Sequence, residues 1–285
     1  MGHNNHTISY LDKFSRRSSL MRKFIYVLFI ALLFSTQVVA APFLIPSLTV
    51  TTPNPSIQYQ ASGNGSVART LLSKLTDHVN VMDYAGCDPT GAADSTACIQ
   101  AAIAANPNSV IDFPPGTFKV TSATTIQSAT ILKGSGTGST IINVAGTGYD
   151  ALTFTLSGSG VMDMQFTSPT ARASGYYLNF ATTGTTAIQQ NIAKNLFIQN
   201  GNGIDISGPN TTLTYILDSN FYGSPQGTGI GIWIEGGAGT VISNVQMDNP
   251  NASQPSAGIL MTGGGGVLIS KTDVVHSGIG LNVIP

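Results

Sequence analysis

Two short patterns recur through the last third of the sequence, and their spacing restricts the fold more than any other feature of the chain. One pattern joins glycine to an aliphatic residue, at Gly203-Ile204, Gly231-Ile232, Gly258-Ile259 and Gly280-Leu281, with spacings of 28, 27 and 22 residues. The other pattern contains asparagine or threonine, at Asn195, Asn220, Asn244 and Thr272, with spacings of 25, 24 and 28 residues. A loose period in the twenties with two strand sites in each repeat predicts stacked coils.

Stacked coils of this period occur in more than one class of protein. Leucine-rich repeats share the period, but their leucine template is absent from this sequence. A β-sandwich is the structural alternative, and it does not require asparagine and glycine to return in phase. The sequence therefore predicts an all-β fold from about Val79 to the end, a right-handed single-stranded parallel β-helix.

Short apolar runs separated by glycine begin before the repeats become regular. They lie at 110–113, 117–120, 130–132, 140–142 and 151–154. Only 9% of the residues are charged, compared with about 25% in an average soluble protein. That composition excludes a helical bundle, whose solvated faces need Glu, Lys and Arg, and it suits short strands joined by tight turns.

One segment has a clear helical pattern, and it lies just before the first apolar runs. Ile99, Ala102 and Ile103 form a narrow apolar stripe within 94–105, where Asp94 or Ser95 can cap the start. Because the end of a solenoid exposes apolar surface and unpaired strand edges, we expect this N-terminal helix to cap the first coil. The sequence offers no such cap at its other end, so we also expect the β-helix of 79–285 to be C-terminally incomplete.

The first 40 residues have the pattern of a secretory signal peptide. Five basic residues precede an apolar run of 11 residues that ends at Phe34, which is shorter than the ~20 residues of a membrane-spanning helix. We expect cleavage after Ala40 and a secreted protein, extracellular or at the cell surface; the alternative is an uncleaved membrane anchor. Residues 41–78 are expected to form a linker that is rich in proline and glycine, with a short helix over 66–77.

The net charge restricts the possible partners, and the two cysteines leave open whether a disulfide forms. Residues 41–285 hold seven basic and twelve acidic residues, a net charge of −5. This balance argues against nucleic acid as a partner, because phosphate binding needs a basic stripe. Cys87 and Cys98 are 11 positions apart. In an oxidising compartment they could form a disulfide, and otherwise they are two small buried thiols.

The residues around the predicted cap resemble a known group of proteins. Segments 80–84, 88–96 and 99–103, followed by Phe113-Pro114-Pro115-Gly116-Thr117-Phe118, resemble the opening of pectate-lyase-superfamily β-helices. The two motifs stand in the same order over about 40 residues, and weaker repeat similarity extends to residue 285. The resemblance implies the β-helix fold, and a fold alone does not fix the chemistry.

The lead-in to the β-helix has a resemblance of its own. Residues 65–75 are similar to the stretch that precedes the β-helix in phage tailspikes and fibre-like depolymerases. That resemblance implies a homotrimer that binds or cleaves polysaccharide. Two features depart from it, since tailspikes carry no secretory signal and the usual Gly-Asp pair is replaced by Cys87-Asp88-Pro89.

One strand face carries the residue types that sugar chemistry needs. Strand alternation along 204–206 and 232–235 directs Asp205, Trp233 and Glu235 away from the core. The glycine pattern places Asp205 one coil below Trp233, and Glu235 diagonally from Asp205 at ~8 Å. Inverting glycosidases separate their acid and base by ~6.5–9.5 Å, and a flat aromatic such as Trp233 can stack on a sugar ring. The alternative is two solvated carboxylates beside a packed tryptophan.

These observations predict an exported β-helix protein that binds or degrades polysaccharide, most like a glycoside hydrolase of the polygalacturonase type, without a cofactor. Two alternatives stay open: a non-catalytic surface, adhesin or tailspike-like solenoid, and a pectate-lyase-type enzyme. A lyase needs a base near the sugar C5 and usually Ca²⁺ held by carboxylates. The sequence shows no run of acids for such a metal site, and Asp218, Asp248 and Asp273 are weaker candidates in successive coils.

Overall fold

The computed structural model describes residues 58–284 except 63, 76, 171, 173, 183–184, 186, 224–228, 249–256 and 276–278. The predicted signal peptide, its cleavage after Ala40 and the linker up to residue 57 lie outside the described residues. The chain divides into the units 1–58 and 59–285, and the β-helix lies within the second. No helix among the described residues is long and apolar enough to cross a membrane.

The segment before the coils contains less helix than its sequence predicts. It consists of strands β1 (Gln58–Tyr59) and β2 (Arg69–Thr70) and helix α1 (Leu71–Leu75). The prediction of a helix over 66–77 is therefore wrong in extent. Val67 is 77% exposed and no residue of α1 is buried. A helix without a buried face gains nothing from tertiary packing, and most helices in proteins depend on that packing.

The rest of the chain winds through three parallel faces, which we name A, B and C in the order in which each coil visits them. Face A consists of β7 (Thr124–Ile126), β10 (Leu152–Phe154), β12 (Tyr176–Ala181), β14 (Asn202–Ser207), β17 (Ile230–Ile234), β20 (Ala257–Met261) and β23 (Ile279–Val283). Face B consists of β3 (Val79–Asn80), β5 (Val110–Asp112), β8 (Ile131–Lys133), the first halves of β11 (Gly160–Thr167) and β13 (Asn191–Gln199), β15 (Thr214–Leu217), β18 (Val241–Ser243) and β21 (Leu268–Ser270). Face C consists of β4 (Thr90–Asp94), β6 (Gly116–Val120), β9 (Thr140–Val144), the second halves of β11 and β13, β16 (Asn220–Tyr222), β19 (Gln246–Asp248) and β22 (Asp273–Val275).

Every strand pair between successive coils is parallel, so the predicted fold, an all-β right-handed parallel β-helix, is confirmed. Inward side chains stack in columns from coil to coil, as expected when residues at alternate positions line one side of a strand. On face A, Phe154 pairs with Phe180, Phe180 with Ile206 and Ile206 with Ile234. The rings of Phe154 and Phe180 are stacked with centroids 5.1 Å apart.

The glycine pattern has a steric cause at the corner where face C meets face A. Ile204, Ile232, Ile259 and Leu281 pair successively in register, as the sequence predicts. A Cβ atom on Gly203 would lie 2.3 Å from the carbonyl oxygen of Gly231 and 2.4 Å from the ring of Phe221. Glycine recurs at 203, 231 and 258 because the carbonyl oxygens of the next strand and the inward side chains of face C already fill this corner.

The asparagine pattern is aligned differently from the prediction. Asn220 pairs with Phe197 and not with Asn195. The turn between faces B and C instead contains Asp163, Asn195, Asp218, Asn244 and Lys271, whose φ angles lie between 48° and 60°. Asn and Asp tolerate this left-handed backbone better than other residues that have a side chain, which explains their recurrence. Asn195 and Asn244 also donate side-chain hydrogen bonds to Asp163 and Asp218, at 2.8 and 2.9 Å.

The predicted capping helix is present as α2 (Thr96–Ala105). It follows β4 of face C and precedes β5 of face B, so it occupies the place of a face-A strand in the first coil. Asp94 caps its start by accepting from the Thr96 N–H at 3.0 Å, whereas Ser95 makes no cap bond. Gln100 donates to the carbonyl of Ala123, just before β7, at 3.0 Å. The helix therefore covers the first coil.

Three details secure this end of the β-helix. Val81–Asp83 forms a short 3-10 helix between β3 and β4. Cys87 and Cys98 form a disulfide with their Cα atoms 5.4 Å apart, which settles the bond that the sequence left open. Asp88 follows the first cysteine and accepts from the Ala93 N–H at 2.6 Å, which holds the turn that leads into α2.

The last described coil has no layer above it among the described residues. Leu281 stacks on Ile259 in an inward column, yet it is 50% exposed. Leu268 and Val283 are also exposed. That the β-helix is C-terminally incomplete stays a prediction.

Candidate functional site

The outward residues of face A form a column that contains two of the predicted site residues. Asp205 in β14 pairs with Trp233 in β17 on one side and with Asn179 in β12 on the other. The residues that flank Asp205 and Trp233 along their strands, such as Ile204 and Ile232, are fully buried in the core. The alternation that the sequence predicts here is therefore confirmed, and it turns Asp205 and Trp233 to the outer side.

Glu235 lies in the neighbouring outward column, directly after β17. Its N–H donates to the carbonyl of Ile206 at 3.0 Å, which places Glu235 beside Ser207 in the ladder. Glu235 is thus one coil over and two residues along from Asp205, as predicted. Its side chain is exposed. On the far side, the indole N–H of Trp233 donates to the hydroxyl of Thr262 at 3.0 Å and fixes the ring.

An acid that sequence analysis did not select, Asp150, joins these residues from the turn before β10. One of its carboxylate oxygens accepts from the Tyr176 N–H and the other from the Asn179 side-chain amide, each at 2.8 Å. Asn179 in turn accepts from the Ser207 hydroxyl at 2.8 Å. This chain of hydrogen bonds joins three successive coils. No sequence signal identifies Asp150, because it lies in a turn and not at a strand position with a predictable direction.

Tyr176 is the second site residue that sequence analysis missed. Its ring centroid lies 6.1 Å from that of Trp233, within the usual range for aromatic pairs. Tyr176 lies at the same alternate positions of β12 as Leu178 and Phe180, which are core residues. Strict alternation would therefore direct it inward, but its ring lies beside the outward Trp233.

A buried arginine holds the segment that carries Asp150. The Arg172 guanidinium is fully buried and donates to the carbonyls of Gly146 and Tyr149. It lies 5.0 Å from the ring centroid of Tyr149 and 5.4 Å from that of Tyr177. Cations over aromatic faces are stabilised most where water is excluded. Arg172 therefore fixes the turn immediately before Asp150 without facing the site.

The electrostatics of the site differ between its two predicted acids. Burial raises the pKa of Asp205 to about 8, and the charges of Glu235 and Asp150 contribute in the same direction. Asp205 is only 6% exposed, and its Oδ1 atom is buried without a hydrogen-bond partner. Burial also raises the pKa of the Tyr176 phenol, together with the charges of Asp205, Glu235 and Asp150. A carboxyl with its pKa raised in this way favours its protonated form at neutral pH.

The weaker acid candidates do not join this group. Asp218 lies at the corner between faces B and C, and Asp248 and Asp273 lie on face C. Among the described residues, no group of three or more His, Cys, Asp or Glu side chains is arranged to hold a metal ion.

Fold and site together define a parallel β-helix protein with an acidic, aromatic-lined outer face. The chain belongs to the family described as rhamnogalacturonase A/epimerase, pectate lyase-like, whose sequence model matches residues 78–285. No curated protein matches the chain.

Solved structures give further similarities. The A-module of a mannuronan C-5 epimerase from Azotobacter vinelandii is 18% identical, with 72% of this chain and 74% of that chain covered and a TM-score of 0.41. The tailspike protein of E. coli bacteriophage HK620, in complex with a pentasaccharide, is 13% identical, with 77% and 45% covered and a TM-score of 0.42. An α-1,3-glucanase from Streptomyces thermodiastaticus is 18% identical, with 71% and 42% covered and a TM-score of 0.35. The chain thus spans less than half of the tailspike and of the glucanase.

Proposed function

We propose that this protein binds a polysaccharide across Trp233 on face A and hydrolyses a glycosidic bond between Asp205 and Glu235. The observation that carries the proposal is the contrast between the two acids. Asp205 is buried with a pKa of about 8, whereas Glu235 is exposed one coil away. A glycosidase needs one carboxyl that keeps its proton at neutral pH and one carboxylate that can reach water.

The contrast also assigns the two roles. Asp205 donates its proton to the glycosidic oxygen as the bond to the anomeric carbon breaks. Glu235 accepts a proton from the water that attacks that carbon on the opposite face. The register of the two residues corresponds to ~8 Å at ordinary strand spacings, which allows room for the water and predicts inversion at the anomeric carbon.

Other residues have supporting roles in the proposed reaction. Trp233 supplies a flat surface on which a sugar ring can stack, and its bond to Thr262 holds that surface in place. Asp150 accepts from the Asn179 amide, and its negative charge adds to the effect of burial in raising the pKa of Asp205. The family description names a rhamnogalacturonase, which supports a polysaccharide as the ligand.

The test is cleavage of a polysaccharide panel by the purified chain, followed through new reducing ends. We expect cleavage by the natural sequence and by Asp273→Asn, which alters an exposed acid of face C. We expect none by Asp205→Asn or Glu235→Gln. Products with an unsaturated uronate would mean a lyase. Binding that quenches the fluorescence of Trp233, the only tryptophan, without any cleavage would overturn hydrolysis and leave a binding module.

We also propose that the protein is exported and that its signal peptide is removed after Ala40. The apolar run of residues 24–34 and the disulfide between Cys87 and Cys98 support this, because disulfides persist in oxidising compartments. N-terminal sequencing of the protein from the medium or cell surface tests the proposal. A mature chain that begins at Ala41 is expected, and a chain retained in the reducing cytoplasm would contradict it.

A further inference from the structure

Face C carries two aromatic side chains on its outer side, in neighbouring coils. Phe197 in β13 precedes the buried Ile198, and Tyr222 in β16 follows the buried Phe221, so strand alternation turns both rings outward. The two residues are one coil over and two positions along from each other, which corresponds to ~8 Å at ordinary strand spacings. Tyr222 is 45% exposed, so burial in the core does not explain its ring.

Amide side chains occupy the positions between the two rings. Phe197 pairs with Asn220, and Tyr222 pairs with Gln199. Rings and amides therefore alternate both along the strands and across them. Asn220 is exposed, and Phe197 and Gln199 are partly exposed. We name these four residues the face-C platform.

The amide pattern continues by one coil on each side of the face-C platform. Gln165 pairs with Phe197, and its amide donates to Oε1 of Gln199 at 3.2 Å. Because that oxygen is engaged, the Gln199 amide turns its N–H groups to other partners. On the other side Gln246 pairs with Asn220, and both line an open groove of about 340 Å³. The face-C platform is thus bordered by further groups that can bond hydroxyls.

From this arrangement we infer that the face-C platform is a second glycan-binding site, separate from Asp205, Trp233 and Glu235 on face A. An aromatic ring offers an apolar surface for the C–H face of a sugar, and an amide both donates to and accepts from hydroxyls. The ~8 Å between the two rings allows neighbouring sugars of one strand to contact both. The face-C platform contains no carboxyl group, so it holds a strand and does not cleave it. The inference goes beyond the proposed function and does not depend on cleavage at face A.

A glycan fits this surface better than a second copy of the chain. Among the described strands of face C, Tyr222 is the only large apolar side chain that is strongly exposed. Stable subunit interfaces bury a wide patch whose centre is mostly apolar. Scattered rings between amides do not form such a patch, whereas they suit the alternating C–H faces and hydroxyls of a sugar strand.

Affinity electrophoresis of the full chain tests the inference, in gels that each contain polygalacturonate, rhamnogalacturonan, galactan, mannan or β-glucan. Trp233→Ala removes the stacking ring of face A, so the binding that this variant retains belongs to another surface. We expect Trp233→Ala to retain binding, and Trp233→Ala/Tyr222→Ala to bind ~5-fold more weakly or less. Tyr215→Ala is the matched control, because Tyr215 lies on face B in register with the aliphatic Ile192 and Val241. In the Trp233→Ala background it should leave binding unchanged.

Two further variants separate loss of the ring from loss of the fold. Tyr222→Phe keeps the ring and should bind as the natural side chain does. Asn220→Ala changes an exposed side chain and should weaken binding as Tyr222→Ala does, with an unchanged melting temperature. Loss of all binding in Trp233→Ala alone, or unchanged binding in Tyr222→Ala, would overturn the inference and leave face A as the binding site. A change of oligomeric state in Tyr222→Ala, measured by sedimentation, would make the face-C platform a contact between copies and also overturn it.

Cleavage of a short oligosaccharide distinguishes this inference from the proposed function. New reducing ends should appear at the same rate in Tyr222→Ala and in the natural sequence, because the face-C platform takes no part in the reaction. Binding at the face-C platform without cleavage by either protein would support this inference and overturn hydrolysis at face A. Slower cleavage of the short substrate in Tyr222→Ala would place Tyr222 in the reacting site and contradict a separate one. No binding to any of the five polysaccharides would overturn both proposals.

Discussion

Asp205 and Trp233 lie in register on neighbouring strands of face A, one coil apart. The pairing places a buried carboxyl that is protonated at neutral pH directly beside a flat aromatic surface. Each residue alone has a structural explanation, Asp205 as an outward-directed acid and Trp233 as a packed ring. Together with Glu235, which follows Trp233 by two residues, they form the arrangement that we propose holds a sugar and protonates its glycosidic oxygen.

Replacing Asp205 by asparagine is expected to abolish cleavage and to stabilise the fold. The pKa of Asp205 is raised from its ordinary value to about 8 in the folded state. Between pH ~4 and ~8 the unfolded chain therefore releases a proton that the folded chain retains, so stability falls as pH rises. The free energy of unfolding of Asp205→Asn minus that of the natural sequence should grow by up to ~1.4 kcal/mol per pH unit in this window.

Denaturant unfolding at several pH values from 4 to 9 measures this difference. Asp273→Asn is the matched control, because Asp273 is exposed on face C. Its difference from the natural sequence should not change with pH in this way. A difference for Asp205→Asn that is independent of pH would contradict the raised pKa.

The same pKa predicts an alkaline limit for cleavage. Asp205 must be protonated to act as the acid, so kcat/KM should fall about tenfold per pH unit above pH ~8. Burial raises the pKa of Asp205 most, and the charges of Glu235 and Asp150 add to it; Tyr176 lies beside them with a raised pKa of its own. In Asp150→Asn one repulsive charge is removed, so the limit should move to lower pH. A limit that stays in place would mean that a different group is the acid.

Much of the fold and part of the site could be predicted from the sequence. Gly203 and Gly231 recur because the corner has no space for a Cβ atom, and that local rule fixed the register of face A and the position of Asp205 beside Trp233. The asparagine alignment was wrong by two residues at Asn220, because the turn accepts either Asp or Asn and Asp218 occupies the equivalent position.

What could not be predicted depends on contacts between distant coils. Asp150 reaches the site through hydrogen bonds to residues 26 and 29 positions later in the chain. The raised pKa of Asp205 arises from burial by such neighbours and not from its own sequence context. Tyr176 departs from strict alternation, and no pattern within a single strand predicts that departure.

Arg172 is expected to matter both for stability and for the shape of the site. Arg172→Met removes the charged donor to the carbonyls of Gly146 and Tyr149, at a cost of ~3 kcal/mol for the two bonds together. Because these carbonyls lie in the turn before Asp150, glycan binding should also weaken at temperatures where the variant is folded. Lys194→Met removes a half-exposed cation of face B and should change stability by less than ~0.5 kcal/mol. Thermal melts and Trp233 fluorescence titrations compare the two, and equal effects would contradict this role.

The close packing at Gly203 predicts that two glycine-to-alanine substitutions will have very different effects on stability. Gly203→Ala would place a Cβ atom 2.3 Å from the carbonyl oxygen of Gly231, so strands β14 and β17 would have to separate. We expect a loss of ~3 kcal/mol or more in the free energy of unfolding. Gly265→Ala meets no atom within 4 Å and should be close to neutral. Similar melting temperatures for the two variants would contradict the close packing of the coils at Gly203.

The disulfide should stabilise the capped end of the β-helix and leave the chemistry of face A unaffected. Cys87 and Cys98 close a short loop that ties the turn before β4 to helix α2, so Cys87→Ser/Cys98→Ser should lower the free energy of unfolding by ~2–3 kcal/mol. Asp205 lies on the fourth strand of face A, whereas α2 occupies the first coil. Cleavage below the melting temperature should therefore be unchanged. A reductant should destabilise the natural sequence by a similar amount and leave the double variant unaffected. A reductant effect on the variant would mean that the disulfide is not its target.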